Sequence, residues 1–144
     1  MLLDGRGATI PAYEKGSFVK PTILDGLPSS SELVDTEIFG PVLSLVHARD
    51  LDEALEFLEH SRFGNQASLF TSSGAAARRF RYEAPAGNIG INIGVAAPMA
   101  YFPFSGWKDS FFGIVHAQGR DAIEFYTEKK IVIERWSQEH SRKF

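Results

Sequence analysis

No cysteine occurs anywhere in these 144 residues. That absence excludes disulfides, thiolate nucleophiles and thiolate metal sites, and it fits a reducing compartment. Long apolar runs are missing as well, and no stretch approaches the roughly 18–20 apolar residues that cross a bilayer as a helix. Met1-Leu2-Leu3 passes straight into Asp4-Gly5-Arg6 with no basic flank and no apolar core of a leader. The expectation is a cytoplasmic protein without a secretory signal. Positive charge is not in excess either. The net charge is −3, whereas polyanion binders carry a basic surplus or stripe, so no nucleic-acid partner is expected. His47, His60, His116 and His140 are scattered, with no second ligand at metal-binding spacing, and no metal site is expected. No Gly-x-Ser-x-Gly elbow marks a serine hydrolase. The spacing of Gly87, Gly90 and Gly94 does not match a dinucleotide or phosphate loop.

What is present is ordinary globular material, with 44% apolar and 23% charged residues. The length suits one domain with a real core and is short for a two-domain nucleotide-dependent enzyme. Val42 to Val46 is nearly continuously apolar, as a strand covered on both faces would be. Phe18 to Leu24 looks extended, but Pro21 cannot donate to a ladder, which predicts an edge or interrupted strand. Asp50 is placed to cap a helix, with Glu53 three positions on completing a capping box. Leu51, Ala54, Leu55 and Leu58 then follow the i, i+3, i+4, i+7 pattern. Ala67 to Thr71 reads as a strand, and Ser72 or Ser73 can cap a helix over about 75–83 that Pro85 stops. Asn88 to Ile93 reads as a strand with one face of small or polar residues, open to close approach by a backbone or a ligand. From Gly94 to Gly113 no period appears, which predicts a long structured loop rich in aromatics. Gln118 to Tyr126 reads as a short helix and Lys129 to Trp136 as a last strand. Strands alternating with helices predict an α/β fold with a mostly parallel sheet flanked by helices. Glu53, Glu56 and Glu59 share an outward face that reads as solvated, so residue patterns alone declare no active site.

Three blocks, in order, resemble the C-terminal part of the aldehyde dehydrogenases. They are Glu37-Ile38-Phe39-Gly40-Pro41-Val42, then Phe63-Gly64-Asn65 leading into Ala67 to Thr71, then Pro103-Phe104-Ser105-Gly106-Trp107-Lys108 running to Phe125-Tyr126-Thr127. Leu3 to Arg6, Gly16 to Thr22, Val95 to Tyr101, and Asp109 to Gly113 through Gly119-Arg120-Asp121 are similar to one branch, the CoA-acylating methylmalonate-semialdehyde dehydrogenases. Ile114 departs from that branch, which often carries an acidic residue there. The resemblance implies a partial catalytic domain over 1–127 and an oligomerisation strand and tail over 128–144.

It also implies roles. Glu37 would accept hydrogen bonds from the nicotinamide ribose hydroxyls of NAD, since a carboxylate can receive two bonds from a vicinal diol. Phe39 would pack against the nicotinamide, and Phe104 would line the tunnel to the thiolate. The plainer alternative makes Glu37 a loop carboxylate, Phe39 a core residue and Phe104 part of an aromatic minicore. In the whole family enzyme a thiolate attacks the aldehyde, hydride passes to NAD, and CoA takes the acyl group as CO2 is lost. This chain has no thiol, so no catalytic residue is assigned and the expectation is an inactive C-terminal piece truncated at its front. The family also implies a homo-oligomer with a dimer as its smallest unit. Two other readings stay open: a non-enzymatic interaction or oligomerisation module, and one half of a split enzyme completed in trans by a cysteine-bearing partner.

Overall fold

A computed structural model describes residues 1–104, 106–113, 116 and 118–137. Ser105, Ile114, His140 and the rest of the tail over 138–144, all singled out above, lie outside the described residues. The described chain divides into two compact units. The first comprises residues 1–97 with 106–112, and the second residues 98–104 with the described residues from Gly113 onward.

In the first unit, strand β1 (Thr22–Leu24) begins directly after Pro21, which has no N–H to donate to a ladder. It pairs in parallel with β2 (Val42–Ser44), Thr22 opposite Val42, and Leu3 bridges Ile23 from the other side. Between them lies a single turn of helix, α1 (Glu32–Asp35), whose N-cap Ser31 accepts from the Leu33 N–H. Val42 to Val46 was expected to be covered on both faces, but Leu43 is 54% exposed, so β2 has one face open.

Helix α2 (Leu51–His60) starts where the sequence places it, with the Asp50 carboxylate accepting from Glu53 N–H at 3.0 Å. The capping box closes one residue early: Glu53 reaches the Arg49 N–H at 2.6 Å rather than that of Asp50. A two-residue strand, β3 (Phe63–Gly64), and β4 (Gln66–Leu69) follow, separated only by Asn65. Helix α3 (Gly74–Glu83) is capped by Ser73 and ends at Ala84, which is extended as a residue before proline should be. Strand β5 (Asn88–Ile91) then pairs in parallel with β4, Ala67 opposite Ile89. The core sits where α2 and α3 cover this ladder: Leu55, Ala67, Phe80, Ala84 and Ala86 are buried, with Leu51, Leu58, Leu69, Ile89 and Ile91 packed against them.

The small face expected on β5 is used by protein. A Cβ on Gly90 would meet Ser68 Oγ at 2.5 Å and Ile93 O at 2.9 Å, so the glycine allows the ladder to close up. The stretch expected as one long loop contains a further strand, β6 (Trp107–Lys108), antiparallel to β3 with Phe63 opposite Lys108. The described ladders are thus two parallel pairs and one antiparallel pair, consistent with an α/β architecture.

In the second unit, α4 (Gly119–Tyr126) begins at Gly119, whose N–H donates to Ala100 O at 3.2 Å. Gly119 takes φ +62, and a Cβ there would lie 2.7 Å from Tyr101 O, so loop 99–103 rests directly on the helix start. The last strand expected over 129–136 forms no ladder among the described residues. A strand needs a neighbour to bond with, and Ile131 and Ile133 are instead 87% and 92% exposed.

Candidate functional site

Two of the three residues singled out from the sequence stand in the first unit, and a cleft forms beside one of them. Glu37 lies in the loop between α1 and β2. Phe63 and Asn65 flank Gly64 at the start of the β3–β4 run, and Asp109 and Ser110 form the turn after β6. Together with Thr36 they line a cleft of about 390 Å³. The family-like blocks around Glu37, Gly64 and Lys108, distant in sequence, therefore converge on one place.

Local bonding explains the convergence. The Gly64 N–H donates to Ser110 Oγ at 3.0 Å, and the Asp109 N–H to Arg62 O at 3.0 Å. On the other side of the same segment Gly87 N–H donates to Gly64 O and Asn88 N–H to Asn65 O, at 2.9 and 3.0 Å. Gly64 is thus walled in on both sides. A Cβ there would meet Pro85 O at 2.8 Å and Trp107 Cβ at 3.1 Å. Lys108 fastens the turn further: its Nζ donates to Leu58 O, Glu59 O and Ser61 O at 2.8 to 2.9 Å, at the C-terminal end of α2. Arg62 Nε donates to Asp109 Oδ2 at 3.0 Å while its guanidinium lies 5.1 Å from the Phe63 ring centre.

The Glu37 carboxylate is exposed and makes no hydrogen bond or ion pair among the described residues. Beside it are the Asn65 carboxamide, the Asp109 carboxylate with one oxygen on Arg62, and the hydroxyls of Thr36 and Ser110. Such a set is rich in acceptors and suits a ligand that donates, such as a polyol. It does not suit a phosphate, which would face two carboxylates. Neither hydroxyl is set up as a nucleophile: Thr36 Oγ1 donates to Glu32 O, and Ser110 Oγ takes the Gly64 N–H. No group of His, Cys, Asp and Glu among the described residues could hold a metal ion.

Phe39, two residues from Glu37, is 94% exposed, so it is not a core residue and its ring is free to stack. Phe104 is half-buried and belongs to the second unit. There Tyr101 and Phe102 pack ring on ring at 4.8 Å, and Tyr101 OH reaches Met99 Sδ at 3.2 Å. Tyr101 and Phe102 are 65% and 54% exposed, so this ring pair is not a buried minicore. A larger cleft of about 440 Å³ between α1 and α2 contains none of the motif residues. The sequence reading gave no role to Asn65, Asp109, Ser110 or Lys108, although all four fall inside the blocks it singled out.

The aldehyde dehydrogenase family profile matches residues 1–132, and the chain belongs to that family. Within it, the chain is 50% identical over 136 residues to malonate-semialdehyde dehydrogenase 2 of Bacillus thuringiensis (strain Al Hakam). The match takes in 94% of this chain and 28% of that protein's length. The fold superposes on the crystal structure of methylmalonate-semialdehyde dehydrogenase from Oceanimonas doudoroffii with a TM-score of 0.90 and 40% identity, covering 95% of this chain and 28% of the other. A Sinorhizobium meliloti chain assigned the same enzyme name and complexed with NAD matches with a TM-score of 0.89 and 38% identity, over 94% and 28% of the two chains. The chain thus spans about 28% of the length of the relatives it matches. No helix among the described residues is long and apolar enough to cross a membrane.

Proposed function

We propose that this chain supplies the nicotinamide-ribose clamp and part of the aldehyde tunnel of an NAD-dependent, CoA-acylating malonate- or methylmalonate-semialdehyde dehydrogenase. The complete enzyme would convert the semialdehyde to an acyl-CoA. What carries the reading is the placement of Glu37: a free carboxylate on a donor-seeking cleft, inside a chain half identical to a malonate-semialdehyde dehydrogenase. Glu37 would accept from both hydroxyls of the ribose, and Phe39 would lie against the nicotinamide and limit its rotation. Phe104 would line the substrate path. NAD, when bound, supplies the hydride acceptor.

The chain's own residues cannot start the reaction, because no thiol is present to attack the carbonyl. It therefore works, on this reading, only as part of a catalytic unit whose cysteine-bearing portion is either continuous with it or supplied in trans. The apolar side chains left open at 131–136 support a second element of the proposal, a homo-oligomer that pairs this segment with a neighbouring sheet. The soluble cytoplasm, where thiols stay reduced, is the proposed location.

The test is to purify this chain and mix it with the remaining portion of the Bacillus thuringiensis relative, with malonate semialdehyde, NAD and CoA. NADH should form in the mixture and not with this chain alone. Glu37→Gln should raise the KM for NAD by roughly tenfold or more, since a bond to a charged group contributes about 1.5–3 kcal/mol. NADH production by the chain alone, above a heat-killed control, would overturn the reading. So would an active mixture indifferent to Glu37→Gln.

A further inference from the structure

Lys108 combines two features that seldom coincide. Its backbone takes φ +54, a left-handed conformation that a lysine adopts at a cost. Its ammonium has three protons, and all three find main-chain carbonyls: Leu58 O at 2.9 Å, Glu59 O at 2.8 Å and Ser61 O at 2.9 Å. Leu58 and Glu59 belong to the last turn of α2, where carbonyls have no helical partner and where the helix dipole favours a cation. A side chain 47 to 50 positions away in sequence therefore closes the end of this helix.

We infer that Lys108 is a positioning residue for the Glu37 cleft. Its anchor on α2 holds its own strained backbone, and that backbone aims the turn carrying Asp109 and Ser110 at Glu37 and Asn65. The chain of contacts is short. Lys108 ends β6 opposite Phe63, and the Ser110 N–H returns to Trp107 O at 3.1 Å, which fixes the turn. From that turn Ser110 Oγ receives the Gly64 N–H and Asp109 meets Arg62. Released from its anchor, residue 108 would relax toward negative φ, and a change of that dihedral swings the two residues after it away from the cleft. Arginine does not substitute, because a planar fork cannot direct donors at three carbonyls around one point as an ammonium does. The positioning claim stands on these contacts alone. Its bearing on a ribose rests on the function proposed above.

Hydrogen exchange on the purified chain tests the anchor. In Lys108→Met the amides of Gly64, Asp109 and Ser110 should lose protection by at least about tenfold, as local opening of the turn would give. Lys108→Gly removes the same anchor but tolerates positive φ, so its loss should be several-fold smaller. Arg79→Met is the control for plain destabilisation. It breaks the contact of Arg79 with Asp52, which ties α3 to α2, and its contact with Glu83 within α3, and should leave exchange at the three amides as in the parent once scaled to global stability. Unchanged protection in Lys108→Met overturns the inference. So does equal loss in the methionine and glycine variants, because the strain would then play no part.

The second arm titrates nicotinamide mononucleotide up to about 100 mM, a range that populates a complex even when affinity is weaker than millimolar, and follows amide shifts at Glu37 and Asn65. The parent and Arg79→Met should respond alike, and Lys108→Met should lose the response. A parent that does not respond refutes the ribose reading and leaves the exchange result to decide the role of Lys108. A response retained in Lys108→Met refutes the positioning of the cleft.

Discussion

Arg6 donates to both oxygens of Asp4, with Nη2 to Oδ2 at 2.7 Å and Nε to Oδ1 at 2.9 Å, and the Arg6 N–H adds a third bond at 3.0 Å. These bonds favour the ionised carboxyl and lower its pKa from 3.8 to about 2. The folded value lies below the unfolded one, so whatever stability the pair gives is complete above pH 4 or so and is lost as pH falls toward about 2. Both side chains face water, so the effect on stability is small and fades with salt. A carboxyl-detected NMR titration should place the Asp4 midpoint near 2, and Arg6→Gln should return it to the ordinary carboxylate range. Asp25 is lowered in the same direction by its hydrogen bond with His47, at 2.7 Å. Gly5 shows a different kind of residue-scale constraint. A Cβ there would lie 1.8 Å from Lys20 O, while Gly5 N–H bonds to Thr22 Oγ1. Gly5→Ala should therefore destabilise by roughly 1–3 kcal/mol, the usual cost of forcing atoms into an occupied site, read as a lower midpoint in urea.

The two long helices depend on caps and on one buried face. Asp50→Ala should cost about 1 kcal/mol by removing the acceptor for the Glu53 N–H. Phe80, 4% exposed at the centre of the core, matters more. Phe80→Ala should cost about 3–5 kcal/mol, much of the stability of a small domain, so loss of the far-UV signal at room temperature is the expected outcome. These elements were legible because a capping carboxylate and a 3.6-residue apolar period are local signals. Strands β1, β2, β4 and β5 were found, but each came out shorter than its apolar run, since a ladder ends where its partner ends. The β3–β6 pair was not legible. Two residues carry no alternation, and Phe63 meets Lys108 across 45 positions. Lys108 was invisible for the same reason, because no spacing rule in sequence foretells capture of carbonyls on a distant helix. The cleft was half legible: Glu37 and Phe39 came through the family-like block, and their neighbours came only through the pairing.

For the molecule as a whole, the segment after Thr127 should govern assembly. Ile131, Val132, Ile133 and Trp136 stand open to solvent, and Trp136 Nε1 donates to Glu134 at 2.8 Å. Light scattering at tens of micromolar should show a dimer or larger species, and ending the chain at Thr127 should return a monomer. A monomer in the longer form, or an unchanged assembly in the shorter one, contradicts the oligomer. NAD should bind the lone chain more weakly than about millimolar, since one charged contact of about 1.5–3 kcal/mol does not offset an association cost of at least roughly 4 kcal/mol. Calorimetry giving micromolar affinity that Glu37→Ala abolishes would contradict this estimate. The uncovered side chains at 131–136 also bear on how long the chain lasts in a cell. Chaperones and proteases sort polypeptides by exposed apolar segments of this kind, so turnover should respond before any enzymatic readout does. Produced alone, the chain should have a short half-life in a pulse-chase experiment. Co-production with a partner that covers 131–136 should lengthen that half-life with no change in the rate of synthesis.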